Sequence, residues 1–394
     1  MINRGLQAFA IWCLPLFSMA QHTVTVNVTG VPQSHAGDPI YLSGNFNSWN
    51  PAAEDMVLTQ HTDGSYTISV LLEDVPSDRL EFKFTRGSWQ TSECTTDGRL
   101  VGPRLGRLDR DTTITCQIDA WRDDFPASTA SANVHVLDSA FYIPQLDRYR
   151  TVWIYLPDDY ATSGKRYPVL YMQDGQHLFD EATSQGRYGP IEWGVDETID
   201  TATEKCIVVA INHQADYVDR VPEFLLRPND EYPTVEGPQY LAFIAETLKP
   251  YVDANYRTLP DKAHTGLAGS SLGGLITLYG GLTYPDVFGA LGVFSPSIWM
   301  DAENVKHVLT EAANKAAIKD QRYYFYAGTS EVRQKPDGKF IDMNADAQAA
   351  MALLEKEAGP ETKLTVREHG RHGALDWREA FPAFFKWFVN STSK

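Results

Sequence analysis

The stretch Gly266–Leu275, GLAGSSLGGL, sets two serines side by side among glycines. Gly269, Ser271 and Gly273 satisfy the pattern G-x-S-x-G, whereas centring it on Ser270 would require glycine where Ala268 and Leu272 stand. Ser271 is therefore the candidate nucleophile. A serine on a tight turn from strand to helix is held in a strained conformation, and a Cβ on either flanking residue would collide with neighbouring backbone. HTGLAGS before it reads as the strand, and LGGLITLYGGL after it reads as the helix.

Outward from this turn, apolar runs alternate with helical stretches. RTVWIYLP, PVLYMQDG, CIVVAINH, ALGVFSPS, YYFYAGT and KLTVREHG read as buried strands. YLAFIAETLKPYVDANY, ENVKHVLTEAANKAAI, NADAQAAMALLEKEAG and WREAFPAFFKWF read as amphipathic helices. Strands this apolar, separated by helices, predict a mostly parallel sheet with helices on both faces.

A serine hydroxyl needs a base, and the base needs an orienting acid; on this kind of sheet the chain order is serine, acid, histidine. His307 falls inside a helical stretch. His369 and His372 follow the strand KLTVRE, and the residues alone leave the base open between them. For the acid, Glu331 lies just beyond the strand YYFYAGT, and Asp337, Asp342 and Asp346 follow close behind.

From about Val134 to Phe388 the chain resembles the putative-esterase family of α/β hydrolases, which includes feruloyl, acetyl-xylan and siderophore esterases. The resemblance rests on YPVLYMQDGQHLFD, LKPYVDANYRT, AGSSLGGL, FSPSIW and GRHGALDW. It implies Ser271 as nucleophile, His372 as base in preference to His369, and Glu331 as acid. It also implies an oxyanion hole formed by the backbone N–H groups of Gln176 and Leu272. No metal or organic cofactor is implied. Trp299, Trp193 and Phe224 are expected in loops at the same edge, where an aromatic rim would suit a sugar or phenolic ring.

The first part of the chain reads differently. From residue 21 to 120, short β-branched and aromatic runs (TVTVNV, PIYLSGNF, GSYTISVLL, LEFKFTRGSW, TTITCQI) predict an antiparallel β-sandwich. YLSGNFNSWNP and LEFKFTRGSWQTSE resemble the starch-binding type of carbohydrate-binding module, which implies glycan stacking on Trp49 and Trp89. Where that family shows an Asn-Arg pair, this chain has Pro103-Arg104. Residues 121–133, rich in Ser, Ala and Asp, read as a linker to a catalytic domain over 134–394.

Residues 1–20, with Arg4, an apolar run and a small-residue exit at Ala20, read as a secretory signal that carries Cys13 away. In an oxidising compartment Cys94 and Cys116 could then close a loop, and Cys206 reads as a small buried hydrophobe. A formal charge of −17 over 394 residues disfavours nucleic acid and anionic membrane surfaces as partners. No mature segment is apolar for long enough to insert in a bilayer. Together these features predict an exported serine esterase acting on acyl or feruloyl esters of carbohydrate. A siderophore or other small-ester hydrolase is the second enzymatic reading, and a non-catalytic glycan-binding protein on a hydrolase scaffold is the third.

Overall fold

A computed structural model describes residues 22–72, 79–107, 110–186, 188–213, 217–311, 315–334 and 338–392. The proposed signal at 1–20 and the candidate acid Asp337 lie outside these residues. The chain divides into two compact units, Met1–Phe125 and Pro126–Lys394.

The second unit is built on eight strands: β1 (Val134–Ile143), β2 (Arg148–Tyr155), β3 (Val169–Gln173), β4 (Ile207–Ile211), β5 (Thr265–Ser270), β6 (Ala290–Phe294), β7 (Arg322–Gly328) and β8 (Glu361–Arg367). Their order in the sheet is β1-β2-β4-β3-β5-β6-β7-β8. The pairs β1–β2 and β2–β4 are antiparallel, and every pair from β4 to β8 is parallel. All residues of β3, β4, β5 and β6 are buried, as strands covered on both faces must be. The pleat sends alternate side chains to opposite layers. Val169 and Tyr171 join a core with the helices at 237–255, α2 (Leu272–Thr283) and α3 (Met343–Glu357). Leu170 and Met172 join a second core with α1 (Val195–Thr201) and α4 (Ala374–Thr392). The fold is an α/β hydrolase.

Three elements depart from expectation. The strand from KLTVREHG, expected to be buried, is the edge strand β8 and has no buried residue. β1 was not foreseen as a strand: it is the outer edge, mostly exposed and twice irregular in register, so it carries no apolar run. The helix over YLAFIAETLKPYVDANY runs from Gly237 to Asn255 but widens to a π-helix over Phe243–Leu248. Pro250 follows at once; it lacks an N–H and its ring would crowd the carbonyl four residues back, which wider winding relieves.

The first unit is rich in strands. One sheet orders Thr59–Gln60, Tyr66–Leu72, His22–Gly30 and Thr112–Gln117; another orders Tyr41–Gly44, Arg79–Thr85 and Arg104–Arg107. Val24, Val26, Leu42, Phe82, Phe84 and Trp121 form its core. The sheet is not wholly antiparallel, because His22–Gly30 pairs in parallel with Thr112–Gln117.

Three further expectations change here. Trp49 is only 5% exposed, at a positive-φ turn, with its ring tilted against the half-buried Trp89 at 6.5 Å. A stacking platform needs its face in water, so Trp49 is a core residue of this unit. No disulfide joins Cys94 to Cys116: Cys94 lies in a short strand opposite Ala120, and Cys116 Sγ points to the Asn27 carbonyl at 3.8 Å. Residues 121–133 do not form a free linker. Trp121 is fully buried in the first core. Ser128 and Thr129 bond to Asp180, Ser131 N–H donates to Asp196, and Asn133 donates to Asp200.

Candidate active site

The carboxyl ends of β3, β5, β6, β7 and β8 lie along one edge of the sheet, where open α/β sheets place their sites. Ser271 bridges β5 and α2 with φ +59°, a left-handed conformation that costs a non-glycine residue of order 1–3 kcal/mol. Gly269 has the reason foreseen, since a Cβ there would stand 2.7 Å from the Gly273 carbonyl oxygen; at Gly273 the obstacle is instead a side chain, with an added Cβ 2.9 Å from Asp174 Oδ2. Ser271 N–H donates to the Phe294 carbonyl at 3.0 Å, which ties the turn to the end of β6. Ser270 is the last residue of β5 and is buried.

His372 Nε2 stands 3.0 Å from Ser271 Oγ, and His372 Nδ1 stands 2.9 Å from Glu331 Oε2. The Glu331 carboxylate is fully buried; its Oε1 accepts from Gly328 N–H at 2.7 Å and from Ser295 Oγ at 2.7 Å. Trp377 Nε1 donates to Ser295 Oγ at 3.0 Å, and the Trp377 ring stands edge-on to His372. His369 is placed elsewhere, with φ +58° and a side chain 70% exposed beside Glu368. His307 pairs with Glu311 on a helix surface. Asp342 caps α3 by accepting from Ala345 N–H at 3.0 Å, and Asp346 lies in the first turn of the same helix.

Leu272, fully buried, is the first residue of α2, so its N–H has no carbonyl four residues back to bond within the helix. Gln176 sits in the turn after β3, with its carbonyl accepting from Thr183 Oγ1 at 2.9 Å and its Oε1 accepting from His213 N–H at 3.2 Å. That turn is pinned at Asp174, which has φ +59° and takes two bonds from Arg220, at 2.7 and 2.6 Å. Burial would raise the Asp174 carboxyl, but the Arg220 guanidinium outweighs it and holds the group below its ordinary range. Burial also pushes the neighbouring His177 down to about 4.

The aromatic rim is not as expected. Trp193 is 3% exposed and packs among Phe294, Trp377 and Phe381; Phe224 is fully buried against Tyr240 beneath the Arg220 guanidinium. Both are core residues, because an apolar ring next to a packed sheet gains more by burial than by facing water. Trp299 is half-buried in the turn after Ser297, with the Arg333 guanidinium 4.3 Å above its ring. Ser295, Ser297, Asp174 and Trp377 all lie inside the motifs that marked the family. Nothing in their residue types singled them out.

A match to the putative esterase family covers residues 143–388. The chain belongs to the putative esterase family. It is accordingly a carboxylic ester hydrolase. Among relatives of this esterase, the ferri-bacillibactin esterase BesA of Bacillus subtilis is 32% identical, over 48% of this chain and 68% of BesA. An endo-1,4-beta-xylanase/feruloyl esterase of Xylanibacter ruminicola is 26% identical, over 66% of this chain and 32% of its own length. Among solved structures, the enterobactin esterase FES of Shigella flexneri, in the presence of 2,3-di-hydroxy-N-benzoyl-serine, superposes with a TM-score of 0.52. That match is 16% identical and covers 95% of this chain and 93% of FES; it speaks to the fold alone.

Among the described residues, one group has the spacing to hold a metal ion: Glu192, Asp196 and Glu197, with ligand atoms within 4.8 Å of one another. Glu192 accepts from Gly194 N–H and from Arg378 at 2.9 Å, and Arg378 also reaches Glu181 at 3.3 Å. Burial, reinforced by Glu197, pushes Asp196 up to about 9. Burial against the pull of Arg378 leaves Glu192 at about 7. An unfolded carboxyl titrates near 4, so the unfolded chain holds fewer protons than the native one at Glu192 up to about pH 7 and at Asp196 up to about pH 9, and the contribution of these two groups to stability falls as pH rises. The slope is up to about 1.4 kcal/mol per pH unit for each such group. Thermal melts from pH 5 to 9 are expected to show this decline, and Asp196→Asn to flatten it. An unchanged slope in the variant would place the pH-sensitive protons elsewhere.

Proposed function

We propose that this esterase works by a Ser271–His372–Glu331 triad through an acyl-enzyme, on acyl or feruloyl esters carried by carbohydrate, after export. The observation that carries the triad is the continuous line from buried Glu331 through both nitrogens of His372 to Ser271 Oγ, at 2.9 and 3.0 Å. His372 takes the Ser271 proton as Oγ attacks the ester carbonyl and returns it to the leaving alcohol; water repeats the sequence on the acyl-enzyme. The N–H groups of Gln176 and Leu272 face the developing oxyanion, each donor commonly contributing about 3 kcal/mol.

The name of the Xylanibacter ruminicola relative supports a feruloyl ester. Net charge supports it too: at −17 the protein's field favours a neutral acylated sugar over an anionic iron chelate. The BesA match favours the alternative, a siderophore-type ester. Trp299, which unlike Trp193 and Phe224 is not fully buried, is the remaining candidate to meet either substrate's ring, and Trp89 is the remaining candidate for glycan contact in the first unit. Export rests on the sequence of residues 1–20. Turnover of acetylated and feruloylated oligosaccharides beside an enterobactin-type triester separates the readings: a kcat/KM highest for the triester would overturn the carbohydrate assignment.

A chain beginning at Pro126 retains every proposed catalytic group and the bonds that Ser128, Thr129 and Ser131 make to the second unit. It is expected to hydrolyse p-nitrophenyl acetate with kcat/KM within about threefold of the full chain, an order-of-magnitude expectation for cores that fold separately. If the first unit binds glycan through Trp89, the truncation and Trp89→Ala both weaken pull-down on insoluble polysaccharide. No pull-down by the full chain would leave that unit a support only.

A further inference from the structure

Ser297 lies two residues beyond the strained Ser295, in the turn that follows β6, and is only 2% exposed. Its backbone N–H donates to the Ser271 carbonyl at 3.0 Å, and its Oγ stands 3.1 Å from Ser271 Oγ. The nucleophile thus touches two side chains, His372 and a second buried hydroxyl.

The direction of that second contact follows by elimination. Glu331 Oε1 already accepts two donors, from Gly328 and Ser295, and Oε2 faces His372 Nδ1. A carboxylate accepts only, so Nδ1 carries a proton, and in the neutral imidazole that serves as base Nε2 is therefore bare. Ser271 therefore donates its single hydroxyl proton to Nε2. The contact with Ser297 is left with one possible donor, Ser297 itself.

We propose that Ser297 is a catalytic residue whose hydroxyl donates to Ser271 Oγ throughout the reaction. The inference rests on the triad reading above. During acylation the Ser271 proton passes to His372 Nε2, an Oγ lone pair forms the C–O bond, and the carbonyl π pair moves to the carbonyl oxygen. Ser297 neither gives up nor takes a proton; its hydrogen bond strengthens while charge resides on Oγ. It also occupies one Oγ lone pair and so leaves the other for the carbonyl carbon. In deacylation the C–O bond to Ser271 breaks, its electron pair returns to Oγ, and the same bond offsets that charge until His372 reprotonates it. A donor to a transient oxyanion acts more strongly on the transition state than on the resting enzyme.

The test reads a single nucleophilic attack without turnover, using the full chain and a fluorophosphonate that labels Ser271 once. Loss of one charge-assisted hydrogen bond is expected to slow labelling by Ser297→Ala about 10- to 100-fold. The melting temperature and the KM for p-nitrophenyl acetate should stay close to those of the parent. Ser297→Cys, a weaker donor of similar size, should fall between the two, so that rate follows donor strength. Labelling of Ser297→Ala at the parent rate overturns the proposal, as does an equal loss in both variants with a lowered melting temperature, which would mark a packing role. Ser271→Ala is the control: unlabelled, it preserves the triad whatever Ser297 does, whereas labelling at the parent rate would overturn the triad itself.

Discussion

Replacing Ser271 by alanine is expected to lower kcat about a million-fold, because nucleophile and base act as one unit and removal of either abolishes the covalent route. Ser270→Ala, one residue away, is expected to retain most activity. The difference lies in the backbone. Ser270 ends β5 in register with Phe294, whereas Ser271 stands on the turn at φ +59° with its Oγ 3.0 Å from His372 Nε2. Steady-state turnover of p-nitrophenyl acetate by the two variants decides this, and a deadlier Ser270→Ala would show that the reactive hydroxyl belongs to Ser270. His372→Ala should match Ser271→Ala, and His369→Ala should be mild, since that ring points to solvent.

Glu331→Gln is expected to cost up to about ten-thousand-fold in kcat while leaving the fold intact. The carboxamide keeps one oxygen to accept from Gly328 and Ser295, so its NH2 must face His372 Nδ1. Two donors cannot share that contact. The imidazole is driven to the tautomer with its proton on Nε2, and Ser271 loses its acceptor. Asp342→Asn, by contrast, should leave kcat unchanged, since asparagine caps a helix about as well as aspartate. Equal loss in the two variants would move the acid away from Glu331.

The parts of this site differed in how far residue types revealed them. Ser271 was legible because a steric requirement, glycine on both sides, leaves a signature in the sequence itself. His372 was not separable from His369 by residue type, and the resemblance favoured it. The structure shows the physical difference: the His369 ring is in water beside Glu368, while the His372 ring rests against Trp377 with one nitrogen at Glu331 and the other at Ser271. The central strands were legible because burial on both faces forces apolar runs; of the two edge strands, under no such demand, β8 was read but expected to be buried, and β1, mostly exposed and irregular in register, was missed. Trp193, Phe224 and Trp49 misled for one reason. An aromatic ring offers the same surface to a core as to a ligand, and only the neighbours supplied by the fold decide between them. The Ser/Ala-rich segment misled for another: small polar residues suit a flexible linker, but they also suit a strap fixed to Asp180, Asp196 and Asp200.

The proposed acid and base, Glu331 and His372, stand on neighbouring loops, and those loops are joined through their backbones. Thr329 N–H donates to the Arg367 carbonyl at 3.0 Å and Ser330 N–H to that of Gly370 at 2.9 Å. Gly328 lies so near Gly370 that an added Cβ would stand 2.2 Å from its carbonyl oxygen. The spacing of Glu331 and His372 is thus set by main-chain geometry that most side-chain changes nearby leave alone. The pair behaves as a prefabricated cassette: side-chain changes elsewhere along this edge of the sheet leave its spacing as it is. Alanine at Gly328 would wedge the two loops apart and disturb that spacing from a position that touches neither the serine nor the substrate.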